Sequence, residues 1–154
     1  MIDEGRVSDG LFSFSDFVPT VCALAGAGER VPTDRFIDGV DQTSFLLASD
    51  GLSNRKHQYY WLGQMFSALR VGEYKYMLAS ISDDDTHVLN PGGFTGRGQK
   101  YPYGRLYNLY LDPKETRSYL IRKLAYLEAI QNGIRAHVTT FRDYPPKLVT
   151  GLNV

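Results

Sequence analysis

The sequence is poor in the residues that build covalent or metal-bound scaffolds, with one cysteine and three histidines among 154 residues. One cysteine excludes both an intrachain disulfide and a zinc site built from several cysteines. Lys plus Arg equals Asp plus Glu at 17 each, so the chain lacks the positive excess typical of proteins that bind nucleic acids or anionic membranes. We therefore expect neither as a partner.

Long apolar runs are also lacking, since none approaches the roughly 20 residues that span a bilayer. Asp3 and Glu4 stand where a signal peptide would carry basic residues. The hydrophobic content of 43% with 22% charged residues is nevertheless ordinary for a folded domain. The composition predicts a disulfide-free globular domain of about one core.

Aromatic residues are what the sequence has in excess, with 11 tyrosines and eight phenylalanines. The preference of aromatics for strands explains many of them. Because their rings are apolar and their tips polar, tyrosines also suit surfaces that contact sugars or other proteins, and both interpretations stay open. Most tyrosines cluster in the middle of the chain: Tyr59, Tyr60, Tyr74, Tyr76, Tyr101, Tyr103, Tyr107 and Tyr110.

A helix is predicted near the N-terminus, over about residues 14–26. Ser13 or Ser15 can cap its start with a side-chain oxygen, and Gly26 or Gly28 can adopt the left-handed conformation that ends it. Its apolar residues recur at steps of three and four, which is typical of one helix face: Phe14, Phe17, Val18, Val21, Leu24 and Ala25.

Strands are predicted in the middle of the chain. Residues 58–63 are rich in aromatics, and residues 65–79 form two short apolar segments separated by Gly72-Glu73, which suits a tight hairpin turn. A further aromatic strand is expected over 105–111. The polar stretch 80–104 contains five glycines and predicts a long connection, which in compact domains is usually functional or mobile.

The clearest helical period runs from about residue 115 to residue 142, and Pro145-Pro146 prevents its continuation. The order of the predicted elements is therefore a helix, several strands and a long helix. This order indicates an α+β fold. We expect a small antiparallel sheet of about four strands packed against the long C-terminal helix, with one further helix near the N-terminus.

Few residues are candidates for catalysis. Cys22 has no neighbouring histidine or basic residue to activate its thiol, so a small core residue is expected. The histidines lack metal-binding spacing, and we expect His57 at a strand edge, His87 in a loop and His137 on a helix surface. One alternative is a small enzyme that uses His57 or His87 with an aspartate of residues 83–85.

Two loop motifs could bind ions. Asp83-Asp84-Asp85 lacks the spacing of a calcium-binding EF-hand, and a solvated acidic tip is expected. The glycine-rich residues 92–100 match neither phosphate-binding glycine motif. Arg97, Lys100 and Arg105 could give an ordered loop some affinity for anions, although a flexible insertion is the simpler interpretation. The residues by themselves assign no catalytic, cofactor-binding or metal site.

Four short motifs resemble, in order, those of the type I sulfatases, the arylsulfatase family of the alkaline-phosphatase-like superfamily. The resemblance extends over residues 7 to about 117. They are SDFVPTVCALAG at 15–26, DGVD at 38–41, SALRVGEYKY at 67–76 and LYNLYLDPKET at 106–116.

The resemblance implies the C-terminal part of such a protein. Residues 1–50 would be the trailing segment of the catalytic domain, and residues 51–154 the small C-terminal domain. The complete protein would hydrolyse sulfate esters with Ca²⁺ and a formylglycine made within C/S-x-P/A-x-R. Cys22 is followed by Leu24 and Gly26 at the diagnostic positions, so it does not match. We expect no cofactor in this chain and no sulfatase activity from it alone, and we expect a structural or substrate-rim role.

The resemblance also bears on partners, because the first helix of a complete sulfatase would pack on the large catalytic sheet. In this chain Phe12, Phe14, Phe17 and Val21 need another cover. The expected partner is a sulfatase catalytic domain or, in its absence, a second copy paired through this helix. An alternative is a stand-alone module that binds a glycan or a protein, or that mediates oligomerisation.

Overall fold

The computed structural model describes residues 2, 4–63, 65–81, 98–119 and 125–145. Its elements confirm the predicted α+β fold, with a four-stranded antiparallel sheet, a long C-terminal helix and a helix near the N-terminus. None of the helices within these ranges combines the length and apolar character that crossing a bilayer requires.

The N-terminal helix begins with a 3₁₀ turn at Phe14–Asp16 and continues as α1, Phe17–Leu24. The Asp16 carboxylate accepts a hydrogen bond from the Ser13 backbone N–H at 2.9 Å, which satisfies a donor at the helix start. Gly26 has φ +66° and ends the helix in the predicted left-handed conformation. A second 3₁₀ turn, Gly28–Arg30, and a short helix α2, Thr43–Leu47, follow.

The sheet is an antiparallel meander in which each strand pairs with the next along the chain. It consists of β1, His57–Leu62; β2, Met65–Val71; β3, Tyr74–Ile81; and β4, Gly98–Asn108. Gly72 has φ +56° and forms the β2–β3 turn, as the Gly-Glu pair predicts.

Strand β4 differs from the prediction at both ends, since it begins at Gly98 and stops at Asn108. The predicted connection 80–104 is therefore shorter, because Ser80 and Ile81 pair with Gln99 and Gly98, and residues 98–104 belong to β4. A register shift between Met77 and Ala79 accommodates this pairing, and Gly104, with φ +67°, lies on the opposing strand. Such bulges let a glycine-containing segment stay in a ladder.

The long helix α3 spans Tyr126–Asp143, so the predicted start near residue 115 is wrong. Glu115 has φ +56°, and the Asp112 carboxylate accepts hydrogen bonds from the Thr116 hydroxyl and the Arg117 N–H. The Tyr119 N–H donates to the Leu106 carbonyl of β4. These local and cross-strand bonds compete with helix formation over residues 115–119.

The core lies between α3 and one face of the sheet and contains Leu69, Tyr74, Leu106 and Ile130. Gly133 brings α3 close to β2, since a Cβ there would lie 2.8 Å from Leu69 Cδ2. Six partly buried residues complete the packing: Tyr59, Phe66, Val71, Tyr76, Leu127 and Ile134.

Candidate functional site

A buried ion pair joins α1 to the start of the sheet. Asp16 is fully buried and Arg55 is 8% exposed. The Arg55 guanidinium donates to both carboxylate oxygens of Asp16 through Nε, at 3.1 and 2.8 Å, and to Oδ1 through Nη2. It also donates to the carbonyls of Asp38, at 2.7 Å, and His57, at 3.2 Å. One side chain thus connects three separate segments of the chain.

Backbone donors complete the surroundings of the Asp16 carboxylate. The Ser13 and Val40 N–H groups donate to it at 2.9 and 2.8 Å. Burial raises the pKa of Asp16, but the hydrogen bonds from Arg55, Ser13 and Val40 lower it more, to about 2. Asp16 is therefore ionised near neutral pH, and its charge is balanced by Arg55.

Gln42 extends this network towards α2. Its side chain is fully buried; Oε1 accepts from the Asn54 N–H at 2.9 Å, and Nε2 donates to Ser53 Oγ at 3.1 Å. The Gln42 N–H donates to Thr20 Oγ1 at 3.0 Å. Buried polar groups of this kind are stable only when they are paired. We call Asp16, Thr20, Gln42 and Arg55 the junction network.

The opposite side of α1 is apolar and exposed. Because Asp16 and Thr20 point into the junction network, the hydrophobic residues of the helix face outward. The exposed fractions of these residues range from 48% to 91%. They are Phe14, Phe17, Val18, Val21 and Leu24, which we call the α1 face. A contiguous exposed patch of large apolar side chains is typical of a surface that binds another surface.

The two histidines that the structure describes, His57 and His137, lie in different environments. His57 is half-buried on the edge strand β1, as expected, and burial lowers its pKa. His137 is 7% exposed, so the prediction of a helix-surface residue is wrong. It follows Ile130 and Gly133 at helical spacing on the face of α3 that packs on the sheet. His87 lies outside the described residues.

Other predicted candidates are not brought together. Cys22 is a free, half-buried thiol on α1. Lys100 and Arg105 lie in β4 rather than in a loop, and the Arg105 guanidinium lies 4.0 Å from the centre of the Tyr101 ring. Residues 83–85 and 92–97, including Arg97, lie outside the described residues.

The calcium ion and formylglycine of the sulfatases do not fit the residues seen here. Within the described ranges, no three His, Cys, Asp or Glu side chains lie close enough together to hold a metal ion. Cys22 sits in a regular helix with Leu24 and Gly26 after it. No reaction step through either group is assigned to this chain.

Sequence reasoning missed the residues that form the junction network. Asp16 carries a signal, because it follows Ser13 at the spacing of a capping box. Gln42 and Arg55 lie in polar segments that show neither a helical nor a strand period. Only long-range contacts place them in the junction network.

Comparison with protein families identifies residues 67–142 as a match to the family described as "Putative sulfatase AslA C-terminal domain". This match covers most of β2, all of β3 and β4, and nearly all of α3. A comparison with curated protein sequences gave no match.

Solved structures of sulfatases resemble most of this chain. The PsFucS1 sulfatase from a Pseudoalteromonas species is 30% identical with a TM-score of 0.83, over 93% of this chain and 28% of that chain. A Bacteroides thetaiotaomicron protein, described with the metabolism of multiple glycosaminoglycans, is 21% identical with a TM-score of 0.61, over 84% of this chain and 25% of that one.

A third structure, described as the putative sulfatase yidJ from Bacteroides fragilis, is 16% identical with a TM-score of 0.59, over 94% of this chain and 28% of that one. The likeness to the two Bacteroides proteins shows a common fold. The chain thus spans about a quarter of the length of the solved proteins that it matches.

Proposed function

We propose that this chain, which belongs to the sulfatase family and corresponds to its C-terminal region, completes a sulfatase by packing its α1 face against a catalytic domain. The proposed reaction of the complete protein is the hydrolysis of a sulfate ester. In that assembly this chain has a structural or substrate-rim role, and the nucleophile and metal ligands belong to the catalytic domain.

The α1 face is the observation that carries this proposal. Val18 and Val21 are each 57% exposed and Phe14 is 91% exposed. Fully burying one such side chain contributes roughly 1.5–3 kcal/mol. A covering surface would therefore stabilise the helix appreciably. A catalytic domain is the favoured occupant because more than two thirds of the Pseudoalteromonas sulfatase lies outside the match, and α1 precedes residues 67–142, which match the C-terminal domain.

The junction network supports docking because it holds the α1 face in one orientation. Asp16 at the start of α1 is bonded to Arg55, which precedes β1, and Thr20 in its middle is bonded to Gln42. A face that is rigid before binding loses little conformational freedom on binding. This arrangement is expected of a surface that packs on a partner in one geometry.

A chimera tests the proposal, with this chain in place of the matching 28% of the Pseudoalteromonas sulfatase. We expect a folded protein that hydrolyses an aryl sulfate. The double substitution Phe14→Ser and Val21→Ser should lower that activity by about tenfold or more, since the packing that it removes is worth at least about 1–2 kcal/mol. Leu111→Ser, at a residue 78% exposed outside α1, is the matched control and should have little effect.

A folded but inactive chimera, or equal activity of the double variant and the Leu111 control, would contradict the proposal. A second measurement uses the chain alone. With no catalytic domain present, sedimentation velocity should show concentration-dependent pairing that Phe14→Ser with Val21→Ser abolishes. A chain that remains monomeric at high concentration would contradict self-association through α1 and leave the chimera result to decide on docking.

A further inference from the structure

The second half of α3 packs on the edge strand β1 through ring contacts and hydrogen bonds. The ring of His137 stacks on Tyr59, with the ring centres 3.8 Å apart. The Phe141 and Trp61 rings meet edge to face, with centres 5.4 Å apart, and the Tyr59 hydroxyl donates to the Gly133 carbonyl at 3.3 Å. We call these contacts the β1–α3 joint and define it by six residues: His57, Tyr59 and Trp61 of β1, and Gly133, His137 and Phe141 of α3.

His137 fits the β1–α3 joint only as a neutral imidazole. It is 7% exposed, and its Nε2 lies 3.3 Å from Nε1 of Trp61. Because the indole N–H can only donate, Nε2 is the acceptor and carries no proton. Protonation of Nε2 would set two N–H donors against each other. It would also place a charge among the rings of Tyr59, Trp61 and Phe66, and a buried charge without a partner is costly.

His57 lies in the same joint and is half-buried. A Cβ at Gly133 would lie 3.0 Å from His57 Cδ2, so α3 lies in close contact with this imidazole. The centres of the His57 and Tyr59 rings are 6.1 Å apart. Two of the three histidines of the chain are therefore brought together at one contact between a strand and a helix.

The charged groups around the joint favour neutral histidines on balance. Asp38 and Arg55 face it from the N-terminal segment, and the charge of Arg55 is balanced within the junction network. Burial lowers the pKa of His137 more than Asp38 raises it, and burial also lowers the pKa of His57. Burial raises the pKa of the Tyr59 hydroxyl, which stays neutral. The charged side chains of α3 are exposed: Glu128, Arg135, Arg142 and Asp143.

Gly133 divides α3 into two halves with different surroundings. The first half holds Ile130 in the apolar core, whereas the second half holds its histidine in the joint. A glycine inside a helix lowers its stability relative to alanine, so the two halves can separate there. We propose that the β1–α3 joint is an acid-sensitive contact, in which protonation of His57 and His137 releases the half of α3 beyond Gly133 while the apolar core stays packed.

The direction of this effect follows from proton linkage. Both histidines have a pKa below the ordinary 6.5 while the joint is closed, so the open form binds protons more readily. The joint is therefore most stable above pH 6.5 and weakens as the pH falls below it. A released segment of about ten residues is too short to stay helical alone, so its amides become exposed to exchange.

Native-state hydrogen exchange of the full chain between about pH 7.5 and pH 5 tests the proposal. After correction for intrinsic exchange rates, the amides of residues 137–143 should lose protection by about tenfold per pH unit below 6.5 for each histidine that titrates. The amides of β3 and β4 should keep their protection. The Trp61 indole N–H resonance, which is unambiguous because the chain has one tryptophan, should shift with the same pH dependence.

The double substitution His57→Gln with His137→Phe removes both titrating groups and keeps a ring against Tyr59. Its protection over residues 137–143 should change by less than about twofold across the same pH range. His57→Gln alone should retain about half of the logarithmic pH slope. Phe141→Leu is the matched control, because it removes ring contacts with Trp61 and His137 but no titratable group. It should lower protection by a similar factor at every pH and leave the slope unchanged.

Three results would overturn the proposal. They are an equal pH slope in the unsubstituted chain and the double variant, a flat slope in the Phe141 control, and a parallel loss of protection in β3 and β4, which would show global unfolding. The α1 face takes no part in the joint, so none of these results bears on the chimera experiment.

Discussion

The segment up to Arg55 and the sheet with α3 are stabilised in opposite ways. In the N-terminal segment the most deeply buried side chains are polar or charged, namely Asp16, Thr20 and Gln42. Between the sheet and α3 they are apolar, as at Leu69 and Leu106, each 0% exposed. One chain therefore has two kinds of interior, one of hydrogen bonds and one of hydrocarbon.

This contrast shows that the two regions differ in whether they bury their own apolar side chains. The sheet and α3 bury their apolar residues against each other, which is sufficient for a stable layer pair. The N-terminal segment instead directs Phe14, Phe17 and Val21 outward, and its internal bonds fix geometry more than they add net stability. Such a segment is expected to gain stability from a second surface.

The largest expected effect is at the ion pair. Asp16→Asn leaves the Arg55 charge buried without its partner, which should lower the free energy of unfolding by about 3–5 kcal/mol. Urea unfolding measures this loss, and hydrogen exchange should show that protection falls first at the Val40 and Gln42 amides. Asp34→Asn, which breaks an exposed pair, should stay within about 0.5 kcal/mol of the unsubstituted chain. Equal losses from the two variants would remove the distinction between the regions.

The next effect is in the apolar core. Leu106→Ala creates a cavity at a fully buried position and should lower the free energy of unfolding by about 3 kcal/mol. Here hydrogen exchange should increase across β3 and β4, in contrast to the Asp16 variant. If both variants lose protection at the same amides in the same order, the chain unfolds as one cooperative unit and the two regions are not separable.

The smallest expected effect is a decrease in the free energy of unfolding at low pH, which arises in the N-terminal segment. The pKa of Asp16 is lowered from 3.8 to about 2 on folding, so its contribution is complete above pH 3.8 and is lost as the pH falls towards 2. The loss attributable to this group should be about 2 kcal/mol.

The matched control for this acid effect is Asp16→Leu with Arg55→Met, which removes both charges. Between about pH 6 and pH 2 the unsubstituted chain should lose about 2 kcal/mol more free energy of unfolding than the double variant. Equal pH dependence in the two proteins would show that Asp16 is not the titrating group.

Local sequence signals predicted those elements whose conformation is set locally. The turn at Gly72 was predictable because a two-residue hairpin needs a positive φ, and the end of α1 at Gly26 for the same reason. The start of α3 was not predictable, because the apolar period continues upstream of Tyr126. The residues that interrupt the helix are held by distant or turn contacts: Asp112 binds Thr116 and Arg117, and β4 binds Tyr119. The extension of β4 to Gly98 was likewise missed, since a register shift depends on the opposing strand.

The sequence by itself determined the α+β fold, which segments form helices and which form strands, and the resemblance to sulfatases. Hydrophobic periodicity, turn residues and short motifs are local properties of the sequence. Only the tertiary structure decided which side of each element is buried. It placed Asp16 inside and Phe14 outside, and it put His137 between α3 and β1 rather than on the surface. The physical reason is that burial depends on what packs against a residue, and those neighbours, such as Arg55 for Asp16, lie far along the chain.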